Sequence, residues 1–408
     1  MASLCLSETN FPIYSVKRFH ERYFMVAGGG GHAKTGVPNA FEIFEIKNES
    51  GKLDAQSIHK EPLDGAVMNS AVCVDNKNFI CALGLDENCL LYELKLKIVA
   101  PKNGENTGNL RQRKSNLTTS KSYKEASKKI TFDVKKTHSF KTDMHGDDPF
   151  QKCVCFNSDN SLILTGGADG YLRVWKNSSK IEMLYEVKAH SKEIEDISVH
   201  KSGHQIATVS KDGKCYLWRT ENGSKIADLE VSGKDNTMYL FKHCRFASVI
   251  DKPNQHHLFT SHVPLRRTKK PANCFLTKWD LGKNQPLKCT ETNNELISAF
   301  CISEDGSYIG IGTIPGSVSI YIAFSLQLLY NIKECHGIFV TDVEFLSSSD
   351  TTKRITNNDD FTLLTVSADH KIMCHQVTPR RTISAIWILL LVFALIYGVF
   401  YLIAYLGL

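Results

Sequence analysis

Apolar and polar positions alternate with period two along several short stretches, the spacing of strands buried on one face. Phe41-Glu42-Ile43-Phe44-Glu45-Ile46 is one such stretch, and an apolar run, Tyr23-Phe24-Met25-Val26-Ala27, precedes it. A clearer unit is Leu164-Thr165-Gly166-Gly167-Ala168-Asp169-Gly170-Tyr171-Leu172-Arg173-Val174-Trp175, which recurs from Ala207 to Trp218. Asp-Gly supplies a tight turn between strands, and the closing Trp packs at the end of a third strand. Trp175 and Trp218 lie 43 residues apart, the blade period of a WD-type propeller. Equivalent third-strand ends are Phe44, Tyr92, Trp175, Trp218, Trp279, Tyr321 and His375, spaced by 48, 83, 43, 61, 42 and 54 residues. This predicts an all-β fold, a seven-bladed WD40-like β-propeller over residues 1–379, within the usual range of blade numbers.

Each long spacing predicts an insertion, at 100–129, 251–273 and 347–360. Ile130 to Val134 reads as the delayed fourth strand of the second blade. After His375-Gln376-Val377 comes Pro379, which leaves no fourth strand for the last blade. Either the N-terminal residues supply it or that blade is short. His190 precedes Asp196 by six residues, and His336 precedes Asp342 by the same interval. Each pair is expected to be a structural hydrogen-bonded couple within its blade.

The C-terminal pattern differs. From Ile383 to Leu408 there are 26 residues without a charge, above the ~20 that cross ~30 Å of hydrocarbon. A buried core helix of that length would show a polar side. Trp387, Tyr401 and Tyr405 lie towards its ends, where aromatic belts form. The stretch 383–408 therefore predicts one C-terminal transmembrane α-helix. Arg380 and Arg381 flank it, which by the positive-inside rule puts residues 1–379 in the cytoplasm. Met1 to Asn10 carries no secretory signal pattern.

Charge and cysteine content adjust this picture only locally. Residues 102–141 hold 11 Lys or Arg against three acids, an excess of +8 that surpasses the chain's +6 and leaves −2 elsewhere. Its composition up to Lys129 predicts disorder. Such a segment is either a solvated loop or an attractor of anionic head groups, each basic residue near a bilayer adding ~1 kcal/mol. Nucleic acid is not an expected partner, because the basic half lacks interleaved aromatics. The 13 cysteines form no Cys-x-x-Cys, a pattern suited to a reducing compartment. Cys153 and Cys155 share one strand face, as small buried hydrophobes do.

The candidate chemistry lies in Gly28-Gly29-Gly30-Gly31-His32-Ala33-Lys34-Thr35-Gly36-Val37-Pro38-Asn39. Four consecutive glycines suit either a phosphate-gripping P-loop or a shaped loop between strands. The P-loop pattern nearly fits Gly28 to Thr35, but Ala33 stands where its second glycine belongs. A P-loop must also open a helix, whereas Gly36, Pro38 and the alternation from Phe41 to Ile46 oppose one. The stretch therefore joins the second and third strands of blade 1. The basic hairpin Pro264 to Pro271, with Arg266, Arg267, Lys269 and Lys270, is the same connection in blade 5. Both should open on one face, with the insertion and the end of the last strand on the other.

With these features assembled, the chain resembles the prolactin regulatory element-binding protein family. These are endoplasmic-reticulum exchange factors for the Sar-type GTPase of the COPII coat. The resemblance rests on Val26 to Gly31, Lys34-Thr35-Gly36, Pro38-Asn39, Gly166 to Trp175, Gly316 to Gln327 and His336 to Val343. It implies a seven-bladed propeller on a single span of the endoplasmic-reticulum membrane, facing the cytoplasm. It also implies a guanine-nucleotide exchange factor that starts COPII vesicle budding. Such a factor promotes GDP release without covalent chemistry, and so is not an enzyme in the bond-making sense. The implied exchange loop comprises Gly28, Gly29, Gly30, Gly31, Lys34, Thr35, Gly36, Val37, Pro38 and Asn39, with Asn39 foremost. A potassium ion would order that loop, its ligands unspecified. Implied partners are the Sar-type GTPase and the lipids of the membrane. Arg266, Arg267, Lys269 and Lys270 could steer an acidic partner to the same face. The alternative is a membrane-anchored WD-repeat scaffold without exchange activity.

Overall fold

A computed structural model describes residues 2–32, 36–49, 51–75, 78–99, 129–230, 239–249, 252–265, 272–357, 359–377 and 385–407. Its strands form seven four-stranded antiparallel sheets. Blade 1 contains Ile13–Arg18, Tyr23–Gly28, Ala40–Glu49 and Lys52–Pro62. Blade 2 contains Asn69–Asp75, Asn78–Leu85, Asn88–Val99 and Lys129–Lys141. Blades 3 to 6 repeat this order through 151–188, 194–229, 239–291 and 297–332. First strands of successive blades neighbour one another, and that of blade 7 meets that of blade 1, which closes the ring.

Blade 7 resolves the missing-strand problem. Val340–Phe345, Phe361–Ser367 and Lys371–Val377 are joined by the N-terminal strand Ala2–Glu8. Ala2 lies opposite Gln376, Ser3 opposite His375 and Leu4 opposite Cys374. Chain ends far apart in sequence thus share one sheet, and the last blade has a covered edge.

All seven expected third-strand ends fall in third strands. The Trp positions have a visible cause. The indole N–H groups of Trp175, Trp218 and Trp279 donate to the Oγ1 atoms of Thr165, Thr208 and Thr260 on the neighbouring second strands, at 2.9, 2.8 and 2.7 Å. Buried donors need such partners. Apolar residues between blades form the core. Met25, Ala27, Phe41 and Ile43 of blade 1 pack with Phe79, Cys81, Leu83 and Tyr92 of blade 2. Each fully buried side chain of this size contributes ~1.5–3 kcal/mol.

The expected His–Asp couples are corrected. His190 bonds through Nδ1 to Asp212 and through Nε2 to Thr208 Oγ1 at 2.8 Å. His336 repeats this with Asp369 and Thr365. Asp196 and Asp342 instead turn to the central channel. Asp342 Oδ2 accepts from Lys17 Nζ at 2.6 Å and Val16 N at 3.0 Å. Asp196 pairs with Arg245 and accepts from Cys244 N. A side chain six residues on along a strand points past its own blade's turn, whereas the turn Asp reaches back to the His.

The insertions also take definite form. The 251–273 excess is partly absorbed by long strands, Tyr239–Val249 and Lys252–Pro264. The 347–360 segment contains a short helix, Asp350–Ile355, with Ser349 Oγ accepting from Thr352 N at 3.2 Å. The fourth strand of blade 2 runs Lys129–Lys141, well beyond the expected Val134. The rest of the basic insertion, 100–128, lies outside the described residues.

The C-terminal expectation is met as a helix and, among the described residues, not as a membrane span. The helix is described over Ala385–Leu406, and residues 383, 384 and 408 of the expected stretch lie outside the described residues. Among the described residues, no helix is long and apolar enough to cross a membrane. Inside that helix the side chains of residues 385, 388 and 404 fall outside the described residues. The amino-acid sequence of the same stretch carries no charge.

Candidate functional site

The glycine stretch leaves the wholly buried strand Tyr23–Gly28 and ends at the strand Ala40–Glu49. It is therefore a strand-to-strand loop, and no helix follows it. Each glycine has its own reason. A Cβ on Gly28 would lie 1.9 Å from the Pro12 carbonyl oxygen, so the loop begins pressed against backbone. On Gly29, whose φ is +142°, a Cβ would stand 2.6 Å from Asn39 Cα. On Gly30 it would stand 2.7 Å from Val37 Cβ. Gly31 faces open space but has φ +72°, a left-handed conformation that side chains disfavour. Gly36 shares that conformation, at φ +78°.

Asn39 holds the two ends of the loop together. Its Oδ1 accepts from Gly31 N at 2.8 Å, and its Nδ2 donates to Gly31 O at 3.1 Å. The same Nδ2 reaches the Asp64 carbonyl at 3.4 Å. Asn39 O accepts from Leu63 N at 2.9 Å, and Gly29 N donates to Pro12 O at 3.0 Å. Val37 packs against the apolar core between blades 7 and 1. The loop is thus clipped at its glycine end, its asparagine end and its base. The oxygens at this clip are uncharged carbonyls, of Gly31, Asp64 and the Asn39 amide, each accepting one N–H and keeping a second lone pair. That donor type suits a monovalent cation stripped of water.

A further tether was not legible in the sequence. His32 Nε2 meets Asp86 Oδ2 at 2.8 Å, although His32 is 69% exposed. Asp86 occupies the second-to-third connection of blade 2 and has φ +50°. The hydrogen bond to Asp86, and then its charge, raise the His32 pKa. Nothing in the local pattern joins residues 54 apart; only the neighbouring blade brings them together.

Ala33, Lys34 and Thr35 lie outside the described residues, as do Arg266, Arg267, Lys269 and Lys270. The connection from Pro264 to Phe275 joins second and third strands, as the glycine loop does. Leu265 at its start is exposed. The connection from Val99 to Lys129 joins third and fourth strands and so opens at the other end of the ring.

The other polar concentrations are structural. A central cavity of about 510 Å³ is lined by Lys17, Glu195, Asp196, Arg245, Asp342 and Glu344 among others. Its cations are paired, Lys17 with Asp342 and Arg245 with Asp196. His190 and His336 are each lowered in pKa by burial, against the opposing pull of Asp212 and Asp369. They are neutral links in a hydrogen-bonded frame. Among the described residues, no group of three His, Cys, Asp or Glu side chains is arranged to hold a metal ion.

Fold and repeats define a WD-repeat β-propeller that presents a clipped glycine loop on one face. Residues 136–176 and 181–219 match the WD domain, G-beta repeat family. The chain belongs to the SEC12 family of guanine nucleotide-exchange factors. It is 37% identical over 391 residues to guanine nucleotide-exchange factor SEC12 of Rattus norvegicus, covering 93% of this chain and 92% of that protein. The Mus musculus protein is 35% identical over the same shares. SEC12-like protein 1 of Arabidopsis thaliana is 32% identical over 48% of the chain and 46% of its own length. The WD40 β-propeller domain of Doa1 has the same fold, with a TM-score of 0.56 at 12% identity over 91% of this chain and 95% of that one. Guanine-nucleotide exchange is accordingly the function of this propeller.

Proposed function

We propose that the exchange partner is a Sar-type small GTPase, and that the Gly28–Asn39 loop is the element that loosens its nucleotide. The observation that carries this reading is the double hydrogen bond between Asn39 and Gly31, which stiffens an otherwise floppy glycine run. An exchange factor stabilises the nucleotide-open state of its partner. Shifting that state from 1:99 to 99:1 takes a preference of ~5.5 kcal/mol. A loop that had to order itself on contact would lose part of this to entropy, since each residue fixed costs about 1–2 kcal/mol. Clipping by Asn39 removes that cost beforehand. Gly28, Gly29 and Gly30 let the backbone pack closely, and Gly31 and Gly36 let it turn. Lys34, Thr35, Val37 and Pro38 would form the remainder of the contact surface. Arg266, Arg267, Lys269 and Lys270 would steer the partner to this end of the ring.

A potassium ion fits the carbonyl oxygens of the loop by donor type. Bound there, it would replace hydration by fixed backbone oxygens and further reduce the loop's freedom.

The setting proposed is the endoplasmic-reticulum membrane, where activation of the GTPase would begin COPII vesicle budding. The uncharged run from Ile383 to Leu408, preceded by Arg380 and Arg381, supports a single membrane anchor with the propeller on the cytoplasmic side.

The decisive test is GDP release from purified Sar-type GTPase, with and without this chain, in potassium and in sodium. Faster release that weakens in sodium is expected. Release unchanged by the chain would remove the Sar-type GTPase as its exchange partner. Exchange insensitive to the cation would remove potassium from the reading.

A further inference from the structure

Between blades 5 and 6 lies a cavity of about 380 Å³, lined by Ser248, Lys252, His257, Phe259, Lys278 and Phe324 among others. Its walls place it at the end of the ring opposite the glycine loop. Ser248 and Lys252 flank the first-to-second connection of blade 5, and Phe324 lies in the third-to-fourth connection of blade 6. The turn at Gly306 presses on blade 5 so closely that a Cβ there would lie 2.0 Å from the Ser248 carbonyl oxygen. The cavity is therefore a built feature of the blade interface.

Lys278 is its unusual member. The residue is only 8% exposed, yet among the described residues no salt bridge reaches it. Its ammonium donates to the Phe324 carbonyl at a long 3.4 Å and sits 5.1 Å from the centroid of the Phe324 ring. Burial lowers its pKa, and Lys288 lowers it further. A charge held in the cavity without a counter-ion carries an uncompensated desolvation cost, which an incoming anion would offset. None of the described lining residues is acidic, and Lys252 adds a second ammonium, while the Nδ1–H of His257 is spent on the Trp279 carbonyl at 3.2 Å. Phe324 is 70% exposed at the rim, with Phe259 below it. An anion attached to an apolar body would match both halves.

We propose that this cavity binds the phosphate head group of an anionic phospholipid, with Lys278 and Lys252 on the phosphate and Phe324 against the glycerol and acyl portion. Two features of the same end select lipid over a soluble phosphate. The strand Lys371–Val377 ends there, leading towards the uncharged C-terminal stretch, and the basic 100–128 segment is attached there. The choice of lipid rests on the membrane reading above; the binding of an anion does not.

The test uses the full chain in neutral detergent and follows acetylation of Lys278 by peptide mass spectrometry. Water-soluble dihexanoyl phosphatidic acid is the probe. Dihexanoyl phosphatidylcholine, inorganic phosphate and hexaglutamate are the comparisons. Phosphatidic acid should slow modification of Lys278 about tenfold, as loss of access to a charge-assisted contact would. Its binding, measured by calorimetry, should weaken about tenfold in Lys278→Met and in the exposed-site variant Lys252→Ala. Phe324→Ala should weaken phosphatidic acid and leave inorganic phosphate unchanged. Equal protection by phosphate and by phosphatidic acid would overturn the lipid assignment, as would equal protection by phosphatidylcholine. Stronger protection by hexaglutamate would make the cavity a protein-docking site, and no protection by any probe would remove the site. Lys278→Met should leave GDP release in solution unchanged, because the glycine loop lies at the opposite end. A chain that binds phosphatidic acid but fails to accelerate GDP release would sink the proposed exchange partner alone.

Discussion

The Asn39 side-chain amide brackets the backbone of Gly31, accepting from its N–H at 2.8 Å and donating to its carbonyl at 3.1 Å. One side chain thus does for the loop what a neighbouring strand does for a sheet. Asn39→Ala removes both bonds, each worth ~1 kcal/mol net. Stimulated GDP release should fall at least tenfold, while thermal unfolding of the propeller shifts little. Asn39→Asp keeps the acceptor but sets a carboxylate against the Gly31 and Asp64 carbonyls, and should behave like Ala. Full exchange by either variant would contradict the proposed role of the clip.

The glycines should separate by mechanism. Gly28→Ala meets backbone at the Pro12 carbonyl and should destabilise the propeller by about 3 kcal/mol. Gly31→Ala meets nothing within 4 Å and costs only the left-handed backbone, about 1–2 kcal/mol. It should lower the melting temperature less than Gly28→Ala does and reduce exchange. Equal losses of stability in the two variants would contradict this division.

The His32–Asp86 tether has a definite pH sign. The folded-state pKa of His32 is raised above its ordinary 6.5 by the bond to Asp86. Its contribution is therefore fully present below pH 6.5 and fades as pH rises through the folded value. Amide exchange at Gly30 and Gly31, corrected for intrinsic rates, should be slower at about pH 6 than at about pH 8. In His32→Ala that difference should vanish.

Buried histidines give the frame the opposite dependence. Burial lowers the pKa of His375 and His262 to about 3, and lowers those of His190 and His336. The unfolded chain takes up these protons first, so stability is complete above pH 6.5 and is lost as pH falls towards the lowered values. Urea unfolding should show the midpoint dropping steadily below about pH 6. In blade 7 the bonds run in one direction. Ser3 Oγ–H donates to His375 Nδ1, His375 Nε2–H to Thr365, Thr365 to His336 Nε2, and His336 Nδ1–H to Asp369. Ser3→Ala should cost ~1 kcal/mol, and removal of Ala2–Glu8 should expose the edge of Lys371–Val377 and favour aggregation.

The proposed topology also has a direct check. Asn48, Asn116, Asn177 and Asn222 begin Asn-x-Ser or Asn-x-Thr sequons. On synthesis with microsomes they should stay unmodified if the propeller faces the cytoplasm. Glycosylation at any of them would reverse the orientation.

Much of the frame was legible residue by residue. Strand alternation, Asp-Gly turns and the 43-residue interval depend on local geometry, so the seven third-strand ends are marked along the chain itself. The glycine run was separated from a P-loop by Ala33, Pro38 and the strand that follows, again local features. What tertiary structure decided were the partners. His190 chose Asp212 over Asp196 because the turn of its blade folds back to it. Ser3 met His375 across 372 residues because the ring closes through its two ends. Asn39 found Gly31, and His32 found Asp86, because a buried strand and an adjoining blade hold each pair at hydrogen-bond distance. Periodicity is written along the chain, but which polar groups satisfy one another depends on how distant strands are brought side by side.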